Sequence, residues 1–128
     1  MSYAGTQTRE LTPQGRAQKQ RLISDESLEL ALSWLRDHAE EIGRAKERVI
    51  RAGHMLKHIE ALEFKKSDAK SAEGKKMDAR TSDRYVAAMY EDAEAAGQYE
   101  MMKSLREAAA LKIEAWRTEA ANFRAMKI

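Results

Sequence analysis

Two histidines four residues apart are the clearest pair of chemistry-bearing side chains in this 128-residue sequence. If His54 and His58 lie on a helix, both imidazoles face one side of it, and that spacing can bind a metal ion. The sequence lacks the His-Glu-x-x-His and Glu-x-x-His motifs that helical zinc and di-iron sites use. We therefore interpret the pair as solvated, and predict neither a metal site nor a cofactor. A metal-binding bundle stands as a third hypothesis.

The acidic pairs do not point to an active site. Glu40–Glu41 and Glu91–Asp92 are neighbours in sequence, and adjacent residues on a helix point about 100° apart, so their carboxylates do not converge on a substrate. There is no glycine-rich phosphate loop, no nucleophile elbow and no cysteine. The sequence therefore predicts a protein that is not an enzyme and has no catalytic residues.

A basic segment is the best candidate binding site. Residues 65–80 carry six basic and three acidic side chains, and a basic residue follows shortly after. The predicted nucleic-acid-binding set is Lys65, Lys66, Lys70, Lys75, Lys76, Arg80 and Arg84. Such a segment can contact phosphates nonspecifically and with strong salt dependence, while the alternative is a solubilising loop. Only Phe64 and Tyr85 flank it as stacking partners, so we expect no sequence-specific recognition.

A seven-residue repeat determines where these side chains lie. One row bears Leu28, Leu35, Ile42, Val49 and Leu56, and the other bears Ala31, His38, Ala45, Ala52 and Ile59. This is the pattern of a coiled-coil seam, with small residues that allow close helix approach. Because 34% of residues are charged and only one is proline, we predict an all-α protein.

The predicted organisation is a flexible basic tail over 1–23 and one helical hairpin over 24–128. Helix 1 spans about 24–64 after a Ser24 N-cap, a basic loop spans 65–80, and helix 2 spans about 82–126 after a cap at Thr81, Ser82 or Asp83. In an antiparallel hairpin the numbers of facing residues add to about 145. This register sets a stretch of charge +4, 44–57, against one of charge −4, 85–101.

One seam per helix buries little, so we predict that a second copy completes a dimeric bundle. The predicted interface is the bulky end opposite the loop, with Leu30, Trp34, Leu111, Trp116 and Phe123. The alternative is a monomer whose tail covers this end. No apolar run approaches the ~18 residues of a membrane span and the N-terminus lacks a secretory signal, so we predict no membrane association and a cytoplasmic location.

The C-terminal run from Tyr99 to Met126 resembles small helical proteins that tailed phages and prophages encode. The residues that carry the resemblance are Tyr85 after the Ser82 cap, Tyr99, Leu105, Lys112, Ile113, Glu114, Trp116, Arg117 and Arg124. These proteins often accompany recombination or replication genes, including those for single-strand annealing or binding proteins. The resemblance implies an accessory role near DNA metabolism in a bacterial host and offers no catalytic residues.

Two functional hypotheses follow. The leading one is an oligomeric accessory protein of DNA recombination or replication that binds DNA weakly and partner proteins through its helices. The other is a protein-interaction module without DNA binding, such as a phage inhibitor of a host enzyme or a structural adaptor. Its contact surface would be the acidic stretches 25–41 and 91–100.

Overall fold

The computed structural model describes residues 22–126 and places them in three helices. We number these α1 (Asp25–Lys66), α2 (Ala72–Thr81) and α3 (Asp83–Met126). No strand occurs between residues 22 and 126, which confirms the all-α prediction. The predicted tail lies outside the described residues except for its last two positions.

Serine side chains cap the long helices where the sequence predicts them. The Ser24 hydroxyl accepts a hydrogen bond from the Ser27 N–H at 3.1 Å, and the Ser82 hydroxyl accepts one from the Tyr85 N–H at 3.2 Å. Each bond satisfies one of the backbone donors that the first helical turn leaves unpaired. Asp25 and Asp83 add negative charge where the helix dipole favours it.

The predicted loop 65–80 is wrong over most of its length, because α2 lies within it. The Ser71 hydroxyl accepts a hydrogen bond from the Gly74 N–H at 3.0 Å and caps α2. Gly74 is not a loop residue but permits a close approach, since a Cβ atom there would lie 3.0 Å from the Cβ atom of Ala69. The connection between α1 and α2 is therefore short, and the basic residues from Lys75 onward are helical.

The chain divides into two compact units. The first, which we call the terminal unit, contains the residues up to Leu35 and those from Ala108 onward; the second, the central unit, contains Arg36–Glu107. In the central unit the buried apolar residues fall on the predicted seams, except Ala79, which lies in the segment predicted as a loop. They are Ile42, Ala52, Ile59, Ala79, Ala88, Ala95 and Met102. On α3 the buried positions from Ala88 to Met102 repeat every seven residues, as a coiled-coil row does.

In the central unit, residues that come later in α1 contact residues that come earlier in α3, so the two helices run antiparallel. The Lys46 ammonium lies 5.0 Å from the Tyr99 ring centroid, and the numbers of this pair add to the predicted value. Arg48 donates to both carboxylate oxygens of Glu91, at 2.9 and 3.0 Å, and to the Gln98 side chain. These contacts follow the antiparallel register that the sequence predicts.

The contacts within the terminal unit are also in antiparallel order, but its described core consists of smaller residues. The Trp116 indole donates to Asp25 Oδ1 at 2.8 Å, and the Leu22 backbone N–H donates to the Glu119 carboxylate at 2.9 Å. The buried apolar residues that the structure describes in this unit are all alanines, namely Ala31, Ala109 and Ala120. Every larger apolar side chain described in this unit keeps part of its surface exposed.

Across residues 22–126, no helix combines the length and the apolar composition that crossing a bilayer needs.

Candidate functional site

The basic residues predicted to bind nucleic acid lie on the end of α1, on α2 and at the start of α3. Acidic residues of α1 neutralise several of them. Lys66 and Arg84 contact the Glu63 carboxylate at 3.6 and 3.7 Å, and Arg80 contacts Glu60 at 3.4 Å. The sequence count over 65–80 stops short of these two glutamates, so it overstates the local positive charge.

Three lysines of the set have no acidic partner among the described residues. Lys65, Lys70 and Lys76 are exposed, and each ammonium group is available to an anion. Lys75 differs from them, because it is half-buried and its ammonium lies 5.8 Å from the Phe64 ring centroid. A cation over an aromatic face keeps its charge but loses part of its freedom to reach a phosphate.

The predicted oligomer interface lies in the terminal unit. Leu30 and Leu111 are 67% and 69% exposed, and the three aromatic residues of the set, Trp34, Trp116 and Phe123, are half-buried. The unit also exposes Leu22, Leu32 and Met126. Large apolar side chains at this density on a small unit mark a contact surface more often than a solvated one.

Sequence reasoning missed an open groove along the outer face of α1 in the central unit. One part has a volume of about 440 Å³ and is lined by Glu47, Ile50, Arg51, His54, Met55 and His58. A second part, of about 750 Å³, shares His58 and continues to Lys65. The signal in the sequence is weak, because Ile50 and Met55 fall off the heptad seam.

Among the described residues, Arg48–Glu91 is the only cross-helix ion pair in which each partner shifts the pKa of the other. The hydrogen bond from Arg48 lowers the pKa of Glu91, and the bond to Glu91 raises the pKa of Arg48. Both side chains are partly solvated, so the pair selects the antiparallel register more than it stabilises the fold. Arg44 and Arg51 pair instead within α1, with Glu40 and Glu47.

Comparisons with protein families, curated proteins and solved structures were made for the whole chain. None of them gives a match. The resemblance to phage-encoded helical proteins therefore stays a prediction.

These surfaces are suited to contact with another molecule. Among the described residues they do not bring reactive side chains together at one point. Between residues 22 and 126, no three side chains of histidine, cysteine, aspartate or glutamate are grouped so that they hold a metal ion. His38, on the predicted seam, is half-buried and engaged with a neighbour, whereas His54 and His58 are exposed. The candidate sites are thus an apolar surface, three lysines and the groove on α1.

Proposed function

We propose that this chain is a non-enzymatic assembly protein whose terminal unit binds a second copy of itself. In each unit, α1 and α3 segments pair antiparallel as a coiled coil, and the second copy covers the apolar surface that the pair leaves exposed. The observation that carries the proposal is the composition of the terminal unit, where the buried apolar residues that the structure describes are all alanines while Leu30 and Leu111 are exposed.

The energetics of burial support a partner for the terminal unit. An alanine contributes one methyl group to a core, while fully burying a leucine is worth about 1.5–3 kcal/mol. The exposed apolar side chains of this unit are Leu22, Leu30, Leu32, Leu111 and Met126.

The charges around this surface favour a second copy over an unrelated partner. Glu26 and Glu29 on α1 are exposed, as are Lys112 and Arg124 on α3, and none of the four has an ion-pair partner among the described residues. A surface that carries both signs is complementary to itself in a two-fold dimer, because the acidic helix of one copy meets the basic helix of the other.

Light scattering after size exclusion tests the assembly. At about 10 µM the 14.5 kDa chain is expected to elute with twice its mass. The double variant Leu30→Glu, Leu111→Glu is expected to elute as a monomer, since charges placed in a desolvated interface cost several kcal/mol. The control is Leu105→Glu, which alters an exposed leucine of α3 in the central unit and should remain dimeric. A wild-type monomer would overturn the proposal and favour a tail that covers the surface.

A second candidate function, DNA binding, rests on Lys65, Lys70 and Lys76. Three exposed ammonium groups without acidic partners can follow a phosphate backbone and provide weak, sequence-independent affinity. The role near DNA recombination or replication implied by the phage resemblance belongs to this candidate. It is compatible with the assembly, because a dimer doubles the number of phosphate contacts.

Titration of labelled single-stranded DNA at two salt concentrations tests this candidate. We expect weak binding that falls with salt, and we expect the triple variant of Lys65, Lys70 and Lys76 to alanine to reduce the log–log salt slope by about 2, at ~0.7 per lost contact. The matched control replaces Lys66, Lys75 and Arg84, which already have partners, and should change the slope less. Absence of binding at low salt would remove the candidate.

A further inference from the structure

His54 and His58 differ from the third histidine in being open to solvent. Both line the same groove of about 440 Å³, one helical turn apart on α1. Neither imidazole has a hydrogen-bond or ion-pair partner among residues 22–126. Two imidazoles in this arrangement can chelate one transition-metal ion from a single helix face, as the two histidines of helical zinc motifs do.

One chain supplies two ligands, whereas a structural zinc site has four. The residues around the pair show where the other two can come from. The centre of the groove is a stripe with alternating spacings of four and three residues, and its members are Glu47, Arg51, His54, His58, Ala61 and Lys65. Such a stripe runs straight along a helix, as a packing seam does.

The stripe is symmetric about its centre when two copies meet antiparallel. In that register His54 of one copy faces His58 of the other, and Glu47, which also pairs with Arg51 of its own helix, faces Lys65. Beside the stripe, Ile50 of one copy faces Leu62 of the other, so apolar side chains flank the imidazoles. Opposite charges at the ends and four imidazoles at the centre make the groove complementary to itself.

We propose that two copies of α1 pair antiparallel through this groove and bind one zinc ion between four histidines. The site is tetrahedral and all-nitrogen, which suits Zn²⁺ with Zn–N bonds of about 2.0–2.1 Å. The contact is separate from the terminal-unit surface and does not depend on it.

Zinc binding and mass, measured on the full chain, test the site. After treatment with EDTA, the protein is dialysed against zinc chloride at about pH 7.5, and bound metal and molar mass are determined together. We expect one zinc per two chains and a mass at least twice that measured in EDTA. His54→Gln and His58→Gln should each abolish the zinc-dependent increase, whereas Lys76→Gln, at an exposed position of α2 that does not line the groove, should retain it.

The register has its own test. Glu47→Lys should weaken the zinc-dependent association because it sets two cations against each other, and adding Lys65→Glu in the same chain should restore it. No zinc retained at about 100 µM free metal, or one zinc per chain without a change of mass, would overturn the shared site. The mass in EDTA reports on the terminal-unit assembly alone, so the two proposals can fail separately.

Discussion

Replacing Ala95 with leucine is expected to lower the free energy of unfolding by about 1–3 kcal/mol. Ala95 is 1% exposed and lies in the row on α3 that repeats every seven residues from Ala88. Small side chains in this row let the facing helix approach closely, so three additional carbons have no space without moving the backbone. Urea unfolding monitored by circular dichroism measures the change.

The neighbouring residue provides the control. Ala96 is exposed, and leucine and alanine have similar helix propensities, so Ala96→Leu should change the free energy of unfolding by less than about 0.5 kcal/mol. Equal effects at the two positions would show that α3 does not bury this row against another helix. A stabilising Ala95→Leu would show that the central unit contains space for a larger core.

The parts of the fold that sequence reasoning predicted correctly are those that repeat. The heptad rows of α1 run for more than thirty residues, and Ile42, Ala52 and Ile59 are buried where the pattern puts them. The caps at Ser24 and Ser82 were predictable for a local reason, because a serine that precedes an acidic residue at the start of a periodic segment satisfies the first unpaired N–H groups.

The helix α2 could not be predicted in the same way. It is only ten residues long and has one buried residue, Ala79, so it has no periodic apolar face to detect. Gly74 and the surrounding lysines are typical of a loop. The one local signal for a helix is the Ser71 N-cap, and it is weaker than that composition. The role of Gly74 depends on Ala69 lying against it, and sequence patterns do not show such a contact.

The candidate sites show the same difference between features that the local sequence predicts and features that depend on the fold. The exposure of Leu30 and Leu111 was predictable, because both fall off the seams. The neutralisation of Lys66 and Arg84 by Glu63 was not, because that carboxylate lies before the basic segment in sequence and reaches it only through the fold. Local charge counts treat the two sides of a turn as separate, whereas folding brings their charges together.

The alanine-rich core also bears on the assembly. Across residues 22–126, the buried apolar set contains three large side chains, Ile42, Ile59 and Met102, and all three lie in the central unit. The central unit therefore has some hydrophobic stabilisation of its own, while the terminal unit depends on half-buried aromatic residues and on whatever covers its leucines. The dimer interface that we propose in the terminal unit would supply apolar burial where the described chain has least.

This distribution makes Met102 a sensitive position. Met102 is 4% exposed, and Met102→Ala is expected to lower the free energy of unfolding by about 2–5 kcal/mol through lost burial and the cavity left behind. A domain with few large buried residues has a small free energy of unfolding. We therefore expect Met102→Ala to leave a detectable unfolded fraction at an assay temperature of about 37 °C. Urea titration at constant protein concentration measures it.

Met101→Ala is the matched control, since the adjacent methionine is 56% exposed and truncation should change stability by less than about 0.5 kcal/mol. The pair also separates folding from assembly. If the central unit folds without help from the terminal unit's partner, Met102→Ala should destabilise equally in the wild type and in the Leu30→Glu, Leu111→Glu background. A larger loss in the monomeric background would mean that the dimer contact stabilises the α1–α3 pairing itself, and that assembly and folding are coupled.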